Sequence, residues 1–181
     1  MWKVFASILI VFVFLTGCSN KTPVNSSQTQ QRIQSLYALL MKLDKEIDSG
    51  EAMDLAQSSV TYTQKLAQEY QVVSPPLFHN VLVNIGIKKR GLCFEWCDDL
   101  CYYLYKRKYK SFDLHPAGYA VGNYWREHNA LVVTAKDQPF PEGVVLDGWR
   151  HSGELFFTPV KEDRKYDWAP RNDRCVILLR Y

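Results

Sequence analysis

The chain has 181 residues, with 22 Lys and Arg against 19 Asp and Glu and a net charge of +3. Such a balance excludes a dedicated nucleic-acid surface, which requires a basic stripe. The length allows one domain with a proper core and is too short for two comfortable ones.

Lys3 and the apolar run from Val4 to Leu15 read as a signal segment, because the run is too short to span a bilayer comfortably. The run ends in Leu15-Thr16-Gly17-Cys18, which resembles the bacterial lipobox. That resemblance implies removal of residues 1–17 and lipidation of Cys18. With Ser19 rather than Asp following, it also implies a lipid-anchored protein of the bacterial cell envelope, at the outer membrane and facing the periplasm. Ser19 to Gln31 is polar and nearly free of apolar side chains, so it cannot offset its chain entropy by burial. A flexible tether over 18–29 and one folded domain over 30–181 are expected.

Ile33, Leu36, Leu40, Leu43 and Ile47 recur at helical spacing up to Asp48-Ser49-Gly50, where Gly50 is expected to close the helix in the left-handed position. A second helix from Glu51 to about Tyr70 carries Met53, Ala56, Val60, Ala67 and Tyr70 on one side. The two should form an antiparallel hairpin over 30–72, a candidate docking surface for an envelope partner. After Ser74-Pro75-Pro76 a short helix is predicted from Leu77 to Ile85, with Phe78, Val81, Leu82 and Ile85 inward and Gly86 ending it. The next helix should run from Cys93 to about Lys108, with Cys93, Cys97, Leu100, Cys101 and Leu104 along its core stripe.

Beyond Phe112 the pattern becomes β-branched and aromatic. Strands are expected at Tyr119–Val121, Ala130–Thr134, Val144–Asp147, Leu155–Val160 and Cys175–Leu179. Helices followed by strands predict an α+β domain with a mostly antiparallel sheet. The chain has no internal repeat, glycine-rich phosphate loop or His-Glu-x-x-His pattern, and no cofactor or metal is expected.

Cys93 stands where a basic turn, Lys88-Lys89-Arg90-Gly91, becomes a helix. A thiol there is acidified by unpaired backbone N–H groups and by the helix dipole. His128 opens an apolar strand and can take the thiol proton, while Asp147 closes the next strand and can orient the imidazole. His79, His115 and His151 are read as surface or structural residues. The Cys93 N–H is a natural oxyanion donor, and a second donor is open among Asn84, Gln71 and Trp96.

Gly-x-Cys at a helix start, His opening one strand and Asp in the next together resemble the transglutaminase-like branch of the papain-like cysteine fold, over roughly Gly91 to Trp149. The resemblance implies Cys93 as nucleophile, His128 as general base and acid, Asp147 as orienting group, and Trp96 and Trp149 as aromatic neighbours of the substrate site. It implies an acyl-transfer enzyme, with hydrolysis of an amide in an envelope protein or peptide as the default. The contrasting expectation is a non-catalytic envelope lipoprotein that uses the same fold for binding.

Cys97, Cys101 and Cys175 remain. Cys97 and Cys101 read as small buried residues, with a disulfide from Cys175 to one of them if the chain end packs there. Zinc held by Cys93, Cys97 and Cys101 is the rival reading.

Overall fold

The computed structural model describes residues 26–123 and 125–175. The signal segment, Cys18, most of the tether and all but the first residue of the expected last strand lie outside them. Among the described residues four α-helices precede a five-stranded sheet, so the domain is α+β.

Helix α1 spans Ser26–Leu40 and α2 spans Ser49–Glu69. The junction corrects the expectation at Gly50. Asp48 is extended and its Oδ1 accepts the Glu51 N–H at 2.8 Å, so Asp48-Ser49-Gly50 opens α2 and does not close α1. A capping carboxylate three residues before Glu51 outweighs a glycine that could have ended the previous helix. Residues 26–29, expected in the tether, are already helical. Ile33, Leu36 and Leu40 pack with Ala52, Leu55, Ala56 and Val60 in one core cluster. Gln64 Nε2 donates to Thr29 Oγ1 at 3.1 Å, pairing the start of α1 with the far end of α2 as an antiparallel hairpin requires.

Helix α3, Pro76–Asn84, has proline in its first turn, where no N–H is needed, and Gly86 follows it with φ +79°. Its expected inward face is overturned. Phe78, Val81 and Ile85 are 48%, 50% and 62% exposed, and the buried residue is His79. Two polar partners hold that ring inward: Nδ1 accepts the Val73 N–H at 3.2 Å and Nε2 lies 2.9 Å from the Arg90 carbonyl. A satisfied imidazole thus sets the helix's rotation against its apolar periodicity.

Helix α4, Cys93–Tyr105, stops earlier than expected but buries the expected stripe of Cys97, Leu100, Cys101 and Leu104. A disulfide joins Cys101 to Cys175 and ties the last described residue to this helix.

The strands are β1 (Phe112–Tyr119), β2 (His128–Ala135), β3 (Val144–Asp147), β4 (Phe156–Pro159) and β5 (Ala169–Pro170). They form one sheet in the order β4-β3-β2-β1-β5, and every pair is antiparallel. β1 lies earlier than the expected Tyr119–Val121. Pro116 and Gly118 read as breakers, yet both are in register, opposite Leu131 and Asn129.

Strand alternation gives the sheet two different faces. Leu131, Val133, Val144 and Leu146 join the core shared with the helices. Ala117, Ala130, Val132 and Val145 face the other way, under Trp168, Tyr119, Phe140, Val160 and Tyr166. Leu36, Leu40, Leu55, Leu104, Leu131 and Leu146 are essentially solvent-free, each contributing about 1.5–3 kcal/mol by burial. Most of the stability therefore comes from the helix-covered face.

Candidate active site

The start of α4 is held from three sides. Glu95 Oε2 accepts the N–H groups of Gly91 at 2.7 Å and Leu92 at 3.0 Å, and Trp96 Nε1 donates to the Gly91 carbonyl at 3.0 Å. Gly91 has φ +128°, and a Cβ there would run into the His79 ring. These contacts seat Cys93 as the first helical residue, with its own N–H and that of Phe94 in the turn that lacks intrahelical acceptors. Cys93 is half-buried and carries a free thiol.

β2 then divides its first two side chains between the faces. His128 points to the aromatic side, where its ring centroid lies 4.7 Å from Trp149, 4.6 Å from Tyr166 and 5.5 Å from Trp168. Asp147, at the end of β3, receives His128 Nε2 on Oδ2 at 2.7 Å, and both residues are buried. Asp147 also accepts the N–H groups of Trp149 at 3.1 Å and Arg150 at 3.0 Å on Oδ1, and Arg150 Nε at 3.0 Å on Oδ2. Arg150 in turn holds Asp163 at 2.6 Å, and Trp168 Nε1 donates to the same carboxylate at 2.8 Å. The Asp147 carboxylate is therefore fixed by four donors, and Arg150 is a paired charge within the fold.

With Nε2 committed to Asp147, His128 Nδ1 is the remaining ring nitrogen. It is buried without a hydrogen-bond partner, while the Cys93 thiol donates to the Glu127 carbonyl at 3.9 Å and is close enough to His128 for each to shift the other's titration. Burial opposes the charged imidazole. Asp147, by charge and hydrogen bond, and then Cys93 outweigh that penalty and raise His128 to about 9. Burial also opposes the thiolate, but the hydrogen bond and charge of His128, with Asn129, bring Cys93 below the ordinary thiol value. Asp147 is held below the usual carboxylate range: burial pushes it up, and the charges and hydrogen bonds of His128 and Arg150 bring it down further. All three directions favour a thiolate–imidazolium pair backed by a carboxylate.

Asn129 points to the helix side, and its Nδ2 donates to Cys93 Sγ at 3.6 Å. Arg171 Nη1 donates to Asn129 Oδ1 at 2.6 Å, which fixes which end of the amide faces the sulfur. The same guanidinium pairs with Glu127, whose Oε2 accepts the Gly122 N–H at 2.8 Å. Glu127, Asn129 and Arg171 thus form a polar clamp on the solvent side of the thiol.

The structure joins His128 to Asp147 and sets Cys93 against the two residues flanking His128, Glu127 and Asn129. Trp96 is buried behind them, edge-on to Tyr70 at 4.9 Å and against Gly148. Trp149 backs His128 and donates Nε1 to Asn80 at 2.9 Å. The residues considered for a second oxyanion donor lie elsewhere or are engaged: Gln71 accepts from Lys88, the Trp96 indole is committed to Gly91, and Asn84 is exposed at the end of α3. The amide that reaches the sulfur is Asn129. Its place beside His128 was a usable signal, and so was Arg150 three residues after Asp147. Asp163, Tyr166, Trp168 and Arg171 arrive from a segment whose sequence shows no periodic link to the site.

His115 is bonded to Thr134 at 2.9 Å and His151 is exposed. Cys97 donates to the Ala130 carbonyl, and burial pushes its thiol well up. With Cys101 in the disulfide, the three-thiolate zinc reading loses a ligand, and no group of three metal-ligating side chains occurs among the described residues. A cavity of about 490 Å³ lies on the aromatic side, lined in part by Tyr166 and Trp168. No family model, no curated protein and no solved structure matches this chain.

Proposed function

We propose that this chain is a membrane-anchored cysteine acyl-transfer enzyme with a papain- or transglutaminase-like core, hydrolysing an amide in a protein or peptide of the bacterial cell envelope. The observation that carries the reading is the buried His128–Asp147 pair set against the acidified Cys93 thiol at a helix start. Cys93 Sγ gives its proton to His128 and attacks the carbonyl carbon. The Cys93 and Phe94 N–H groups at the helix start and the Asn129 amide are the donors offered to the resulting oxyanion. Collapse breaks the C–N bond, the amine leaves with the proton from His128, and a thioester remains on Cys93. Water, deprotonated by His128, attacks the thioester and releases the acid and the thiol. Asp147 keeps its negative charge throughout and stabilises the imidazolium.

Lipidation at Cys18 and an outer-membrane, periplasm-facing address belong to the same proposal, as does an amide-bearing envelope partner. The test is the pH dependence of alkylation of the native full-length chain by iodoacetamide. One thiol should react quickly well below the usual thiol pKa, and Cys93→Ser should remove that phase. Uniformly slow labelling would overturn the reading and favour a non-catalytic binding lipoprotein.

A further inference from the structure

Helix α3 turns its apolar residues outward. Leu77, Phe78, Val81 and Ile85 recur at one-, three- and four-residue steps, which places them on one side of the helix. They are 67%, 48%, 50% and 62% exposed, and Ile87 just beyond is 64% exposed. Scattered apolar residues on a surface need no explanation, but five within 11 residues form a contiguous patch that water solvates poorly. The inner side is fully engaged through His79 and Asn80, so the helix cannot roll to hide them. Lys88 and Lys89 follow immediately, Lys88 donating to Gln71 at 3.2 Å in an exposed bond that a phosphate can replace. Arg90 is different, because its guanidinium is paired with the Asp99 carboxylate.

The position of the patch matters as much as its composition. The Thr29–Gln64 bond sets the start of α1 beside the last turns of α2. Only residues 70–75 lead from α2 to α3, so the point where the chain enters the fold and the apolar helix share one end of the hairpin. Seven residues lie between Cys18 and Ser26, so the eight steps from one to the other reach at most about 28 Å when fully extended. An acyl group on Cys18 would therefore hold this end of the domain against the bilayer.

We infer that the outer face of α3 seats on an anionic phospholipid surface, with Leu77, Phe78, Val81, Ile85 and Ile87 at the headgroup–acyl boundary and Lys88 and Lys89 on the phosphates. Lipid on Cys18 tethers the chain but leaves the domain's orientation open, and an apolar face beside a basic pair is what settles a helix into the interface plane. α3 supplies that face. The inference rests on the lipid-anchor part of the functional proposal and is independent of its chemistry.

The experiment reconstitutes the full-length chain carrying Phe78→Trp in phosphatidylethanolamine–phosphatidylglycerol vesicles and compares its tryptophan emission with that of the unsubstituted chain. The added emission should shift to the blue and be quenched by brominated acyl chains. Adding Leu77→Asp and Val81→Asp should abolish the quenching while the chain still floats with the vesicles. A floating Phe78→Trp chain with unquenched emission overturns α3 docking and leaves the anchor standing. A chain that does not float overturns both. A blue shift that appears without vesicles and grows with protein concentration also overturns the inference, because a second copy then covers the face.

Discussion

The two faces of the sheet are built from the same strands and do opposite things. On the helix-covered face Leu131, Val133 and Leu146 pack into a dry core whose parts are individually replaceable in kind. On the other face the same strands present His128 and Asp147 under Tyr166 and Trp168, in a polar arrangement that must be satisfied atom by atom. One residue of register therefore separates a position where volume matters from one where hydrogen-bond geometry matters. Cys93 lies between the two sides, because α4 begins beside the start of β2, where His128 and Asn129 diverge.

The sharpest way to break this contrast is Asp147→Asn. The isosteric amide preserves volume but loses the charge that holds His128, and kcat should fall on the order of 10⁴-fold. A peptide-release assay would check it, with stability measured alongside. Asn129→Ala removes one donor from the sulfur side while Arg171 keeps its pairing with Glu127. A loss of about 10²–10³ in kcat is expected with KM little changed, as for loss of an oxyanion donor. Leu131→Ala addresses the dry face. It should cost about 2–5 kcal/mol in denaturant unfolding and leave the pH profile of thiol alkylation in place.

The smallest expected effect is the most diagnostic. Unfolded, His128 titrates near 6.5 and Cys93 near 9.0, so between these values one proton sits on sulfur. Folded, His128 is raised to about 9 and Cys93 is lowered, so nitrogen gains hold of a proton as sulfur loses it. The two shifts act on proton uptake in opposite directions, and the slope of wild-type stability with pH should be shallower than either shift alone would give. In Cys93→Ser the unfolded chain loses its compensating proton. The folded chain keeps the His128 proton up to a pKa that lies below the wild-type value, because the sulfur no longer raises it. Stability of the variant should then fall as pH rises above 6.5, measurable by urea unfolding at a series of pH values, with the imidazole followed by NMR. A flat profile in the variant would mean that Asp147 does not by itself hold a proton on His128.

Much of this was legible in the residues. β3 was placed at its observed bounds because Val144-Val145-Leu146 is short, apolar and bounded by turn residues. Cys93, His128 and Asp147 each stood at the end of a periodic segment, where a side chain can serve a site without disturbing a core. Two of the departures share one physical cause: a local polar bond outweighs a pattern. Asp48 capped forward and moved a helix boundary, and His79 found two backbone partners and turned α3 over. β1 was hidden by a proline and a glycine that the sheet tolerates. Arg171 and Asp163 were out of reach because their partners lie 42 and 13 residues back along the chain, and no periodicity spans such gaps.

His79 carries a further consequence. Its ring is clasped by Val73 on one side and Arg90 on the other, and it fills the space where any side chain at residue 91 would stand. One imidazole therefore pins α3 to the peptide leading to Cys93. Residue 91 stands two positions before the sulfur, so the seat of that short helix and the aim of the thiol depend on the same joint.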